Sequence, residues 1–218
     1  MSTPTYNQLA GRRLGRIEAL SDGVFAIAMT LLVLELKVPV AKVAKSEAEL
    51  WHSLVELKYE FLTYFLSFMT LGIFYMGQAF QFQFMERSDR NSSWISILFL
   101  MIISLLPFTT AFLSRHIELK LAIGVYWLNI FLAGLFIYIH LCYALKNNLV
   151  REEDRTIIDK PGRRRVIVAQ SLYAFGALLC FISTYLSIFF IIAVQFNYAF
   201  AIVGPRRNKL ASHQRNKT

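Results

Sequence analysis

The sequence predicts an all-α integral membrane protein with six transmembrane helices per subunit and both termini cytoplasmic. Three observations carry that prediction. Hydrophobic residues make up 56% of the 218 residues and aromatics 15%, above the roughly 45–50% apolar share of a soluble domain. The excess is gathered into long uncharged runs instead of a periodic scatter. Lys and Arg fall asymmetrically between those runs, 17 on one side and 6 on the other, and the richer side is cytoplasmic. The chain reads as a single transmembrane domain over 1–218, in the cell membrane.

The first helix spans about 17–38. Its uncharged core, from Gly23 to Leu34, is 12 residues long. At 1.5 Å per residue it covers roughly 18 Å, against about 30 Å of hydrocarbon. Glu18, Asp22, Glu35 and Lys37 therefore lie near or inside the membrane. Such charges seldom face lipid; they face other helices or water and mark ion pathways. This helix is expected to be central, surrounded by more apolar ones.

Uncharged runs at 61–85, 91–114 and 121–145 each suffice to span with some tilt. The run 166–205 holds 40 residues without a charge, which as one helix would be about 60 Å long. It must fold back, predicting helices at 166–183 and 185–204 with the turn near Ser183-Thr184-Tyr185. The polar segment 41–52 is expected as a short outer helix. The basic surplus, a net charge of +9, is explained by topology and by contact with anionic headgroups, so no nucleic-acid partner is expected.

Enzyme chemistry is not expected. The four histidines, His52, His116, His140 and His213, show no metal-binding spacing, and no Gly-x-Ser-x-Gly or glycine-rich phosphate loop occurs. Cys142 and Cys180 lie in apolar runs and read as small core residues. No cofactor is implied. His140 and Glu60 leave open a proton-coupled transporter, and a non-conducting membrane scaffold is a further alternative.

On a helical wheel, Ile27, Leu31 and Leu34 share one stripe with Thr30 beside it, while Asp22 lies about 140° from Ile27. Taken alone, such a stripe is ordinary helix–helix packing, and Ser21 and Asp22 are ordinary helix caps. The full stretch changes the balance. Arg16-x-x-x-Leu20-Ser21-Asp22-Gly23-Val24-Phe25-Ala26-Ile27-Ala28-x-Thr30-Leu31-Leu32-Val33-Leu34-Glu35 resembles the first-helix signature of the transmembrane protein 175 family of potassium channels. Leu20 stands where the family usually has Phe. Leu106-Pro107-Phe108-Thr109-Thr110-Ala111 resembles a second family stretch.

The resemblance implies a homotetramer whose first helices line a central pore. Ile27, Leu31 and Leu34 would then stack as apolar constriction rings, with Thr30 as a neighbouring hydroxyl, and conduct permeant potassium with modest selectivity. No Thr-Val-Gly-Tyr-Gly filter is present. The family's second helix often carries an aromatic-x-x-His motif, where this chain reads Tyr75-Met76-Gly77-Gln78. The resemblance thus implies a structural polar network of Arg16, Ser21, Asp22, Gln78 and Trp94, with Gln78 in the histidine's place. Helical geometry puts Arg16 near the stripe, whereas the resemblance assigns it to the network.

Overall fold

A computed structural model describes residues 14–37 and 46–200, the last by its backbone alone. The expected ends of the first and sixth helices at 38 and 204, and the basic residues Arg12, Arg13 and those of the C-terminal tail, lie outside these residues. All regular structure described is helical, apart from one isolated bridge pair. We number the helices α1 (Leu14–Leu34), α2 (Glu47–Glu56), α3 (Lys58–Phe84), α4 (Arg90–Ser104), α5 (Leu106–Arg115), α6 (Lys120–Lys146), α7 (Arg155–Leu178) and α8 (Thr184–Phe200).

Among the described residues, five spans are long and apolar enough to cross a membrane: α1, α3, α4 with α5, α6, and the segment Glu152–Phe181. The helix Thr184–Ala199 is apolar but shorter. The third span is broken between Ser104 and Leu106. Pro107 has no N–H to donate and its ring crowds the preceding turn, so it sits in the first turn of a new helix. α7 begins at Arg155, well before the uncharged run starts at Val166. Absence of charge marks the part immersed in hydrocarbon; a helix can continue beyond it where its charges are solvated or paired. Here Arg163 pairs with Asp159 one turn away, at 2.7 Å. α7 and α8 are separated by a 3₁₀ turn at Leu179–Phe181. Gly176 sits where the two helices approach closely, since a Cβ there would lie 2.9 Å from Ile191.

α3 and α6 form the centre of the bundle. α3 touches α1, α5, α6 and α8, and α6 touches α4, α5 and α7. α1 packs on α3, α4 and α5 along one face only. Within one subunit it is therefore an edge helix, not the surrounded helix that its charges suggest. Phe25, Ala28 and Leu32 form its buried face. Phe25 packs edge-on against Tyr75, with centroids 5.4 Å apart, and lies 6.1 Å from Phe99. At one end of the bundle, Met85 pairs with Val150, and Glu86 N–H donates to the Leu149 carbonyl, tying the α3–α4 and α6–α7 connections together.

Candidate functional site

The site is built on α1, whose two faces differ in kind. The buried residues Ser21, Phe25, Ala28 and Leu32 follow the three- and four-residue spacing of a packed stripe. Rotated away from them, Ile27, Leu31 and Leu34 are 60%, 42% and 67% exposed. No other part of the described subunit covers this aliphatic stripe. Arg16, Leu20, Gly23 and Thr30 share its exposed side. The Thr30 hydroxyl donates to the Ile27 carbonyl at 2.8 Å. Its proton is thus spent within the helix, leaving oxygen lone pairs as the polar feature it presents. Beyond the stripe, Glu35 lies 3.6 Å from Arg115 of α5, so one charge bounding the apolar core is matched by a neighbouring helix.

Behind the stripe, α1 and α3 border an open cavity of about 280 Å³ lined by Glu18, Ser21, Asp22, Tyr75, Gln78 and Gln83, among others. Ser21 and Gln78 are buried, whereas Asp22 is exposed. Tyr75 lines the same cavity as Asp22. The Ser21 hydroxyl is buried and has no hydrogen-bond partner among the described residues. The structure thus brings Ser21, Asp22 and Gln78 to one cavity. It does not bring Arg16 or Trp94 there: Arg16 lies on the exposed side of α1, and Trp94 is 53% exposed on α4. Tyr75 and Glu18, which the sequence points to but does not assign to the polar network, belong to the cavity. Helical spacing could have found both. Tyr75 precedes Gln78 by three residues, and Glu18 precedes Asp22 by four.

Of the two candidate proton-relay residues, His140 has side-chain partners and Glu60 Oε2 has none among the described residues. His140 is buried, with Nδ1 2.9 Å from Gln81 Oε1 and Nε2 2.9 Å from Ser92 Oγ. Gln81 Nε2 donates to the Ile137 carbonyl, which fixes the amide orientation. A neutral imidazole with its proton on Nδ1 then satisfies every donor and acceptor in the chain. Glu60 sits in the first turn of α3, and its Oε2 is buried with no hydrogen bond among the described residues. Cys180 is buried and Cys142 is partly exposed. Among the described residues, no three His, Cys, Asp or Glu side chains converge as a metal site would require.

A third polar cluster ties four helices together. Thr110 Oγ1 donates to Ser67 Oγ at 2.6 Å, and the Tyr126 hydroxyl lies 3.2 Å from Ser67 and 3.1 Å from Thr70. Gln195 Nε2 donates to Thr70 Oγ1 at 2.6 Å.

Comparison with known proteins matches residues 16–107 to the family described as endosomal/lysosomal potassium channel TMEM175. A potassium channel of Chamaesiphon minutus is 34% identical over 194 residues, covering 84% of this chain and 92% of that protein. The bovine endosomal/lysosomal proton channel TMEM175 is 30% identical across 78% of this chain, which corresponds to 37% of the longer protein. Among solved structures, the lysosomal potassium-selective channel TMEM175 homolog from Chamaesiphon minutus superposes with a TM-score of 0.75. It is 29% identical, with 86% of this chain and 97% of that chain covered.

Proposed function

This chain belongs to the TMEM175 family, and from that premise we propose that it is a potassium channel whose conduction path runs along α1. Four copies assemble around a common axis, each presenting Ile27, Leu31 and Leu34 to the centre. The single observation that supports this reading is the bare aliphatic stripe on the span with the shortest uncharged core. A lipid-facing helix needs about 20 apolar residues, and α1 offers only the short stretch between Asp22 and Glu35. Assembly around an axis covers the stripe and keeps the flanking charges near water. Both termini lie in the cytoplasm and α8 completes six spans, so the basic connection between α6 and α7 faces the inner leaflet.

Stacked aliphatic rings act differently from a carbonyl filter. They offer no oxygen to replace an ion's hydration shell, and they close by expelling water when narrow. When slightly wider, they favour the ion whose water shell deforms most easily. Potassium holds water less tightly than sodium, so a modest potassium preference follows. The Thr30 oxygen, its proton already donated to Ile27, presents lone pairs suited to a cation or its water. The proton-relay feature behind a transporter reading is weakened by His140, whose two ring nitrogens both have side-chain partners.

The test is flux into proteoliposomes under parallel potassium, sodium and proton gradients. The wild type should pass potassium at channel rates, without saturation at low ion concentration. Ile27→Ala and Leu31→Ala should each raise flux severalfold and narrow the potassium-over-sodium preference. Both side chains are exposed in the subunit, so neither variant should impair its fold. Wild-type flux and selectivity in both variants would rule out the rings as the constriction.

A further inference from the structure

We propose that this protein carries a binding site for an anionic phospholipid on the side of the bundle away from α1, between α3, α6, α7 and α8. The site has two adjoining parts. The first is a narrow apolar cleft of about 80 Å³, whose walls include Phe74, Phe80, Ile137, Leu141, Val166 and Tyr173. The second is a basic groove lined by Lys160, Pro161, Arg164, Arg165, Val168 and Tyr198. Arg165 and Tyr198 line both, so the parts meet there. From Arg165 to Tyr173 the cavity follows α7 for about 12 Å, a depth suited to an acyl chain entering beside a headgroup.

The charges at the groove distinguish it from the rest of this basic region. Arg151 pairs with Asp154 at 3.7 Å, Arg155 with Glu152 at 3.5 Å, and Arg163 with Asp159 at 2.7 Å. Lys160, Arg164 and Arg165 have no acidic partner among the described residues, and these three line the groove. Three uncompensated cations beside an apolar cavity complement a phosphate headgroup joined to a hydrocarbon tail. Basic pockets between membrane helices commonly hold anionic headgroups. Gly134 and Gly162 also line the cleft, and the Gln170 side chain packs directly against Gly134.

The proposal requires membrane embedding but not conduction, so a failed flux experiment would leave it standing. It is tested by native mass spectrometry of the full chain released from detergent micelles containing equal phosphatidylglycerol and phosphatidylcholine. The wild type should retain phosphatidylglycerol preferentially. The triple variant Lys160→Gln/Arg164→Gln/Arg165→Gln should lower that retention at least about tenfold, since each basic residue near an anionic surface contributes severalfold. The charge-matched control Arg151→Gln/Arg155→Gln/Arg163→Gln should retain the lipid. Ala169→Phe, which fills the cavity and keeps the charges, should also weaken retention. Equal retention of both lipids, undiminished binding in the triple variant, or equal loss in the control would overturn the site. So would full competition by glycerol phosphate, which would indicate a phosphate site without a tail.

Discussion

Two polar regions inside this bundle have opposite degrees of completion. Around His140, α3, α4 and α6 share a closed chain of hydrogen bonds. It runs from the Ile137 carbonyl through Gln81, His140 and Ser92, and Asp89 then accepts from Ser92 N–H and the Tyr143 hydroxyl, both at 2.8 Å. Between α1 and α3, the same kinds of side chain surround a cavity, and the Ser21 hydroxyl is left without a partner among the described residues. A buried polar group costs free energy unless it is paired. The first region is therefore built to hold one subunit together. The second is held open at the back of the proposed pore helix, where water, ions or a neighbouring subunit can complete it.

The contrast is tested most strongly at its finished end. His140→Leu should orphan both Gln81 Oε1 and Ser92 Oγ and destabilise the subunit by about 1–3 kcal/mol, the cost of unsatisfied buried groups. Thermal unfolding in detergent micelles measures this. A loss below about 0.5 kcal/mol would mean that the network relaxes freely, and the two regions would then differ little. Individual interhelical hydrogen bonds in membranes average only about 0.6 kcal/mol, so the larger figure depends on the network acting as a unit.

Asp89→Ala should cost somewhat less, about 1–2 kcal/mol, because it removes the cap of α4 and the acceptor for Tyr143 together. The same unfolding assay applies, and combining the change with Tyr143→Phe separates the two contributions. If the double variant is no worse than Asp89→Ala alone, the Tyr143 bond acts wholly through Asp89. Full additivity would show that Tyr143 contributes elsewhere and that the network is less closed than its geometry indicates.

The two regions also differed in how legible they were from sequence. Membrane character was visible in one dimension, because hydrocarbon excludes charge and leaves long uncharged runs. The break at Leu105 and the early start of α7 were less legible. Both depend on backbone geometry and on where charges find water, which a count of uncharged residues does not register. The gathering of Ser21, Asp22 and Gln78 at one cavity followed from the family resemblance, through the first-helix motif and the Tyr75-Met76-Gly77-Gln78 stretch. The partners of His140 could not. Gln81 and Ser92 are remote from it in sequence, and only the crossing of three helices brings them together. The edge position of α1 within one subunit was not legible for a related reason: its charges imply a surrounded helix, but they do not say whether its own subunit or other copies do the surrounding.

The smallest expected effect tests the unfinished end most sharply. Ser21→Ala removes a hydroxyl that is buried yet has no partner among the described residues, so the subunit loses no hydrogen bond and sheds a desolvation penalty. The methyl group fills nearly the same space against Phe25 and its neighbours. Stability should stay within about 0.5 kcal/mol of wild type, or rise slightly, in the unfolding assay used for His140→Leu. A loss above about 1 kcal/mol would mean that the hydroxyl is bonded in the assembled protein. The cavity would then be a finished structural network like the one around His140, and the division between a closed region that holds the fold and an open one behind the proposed pore would fail.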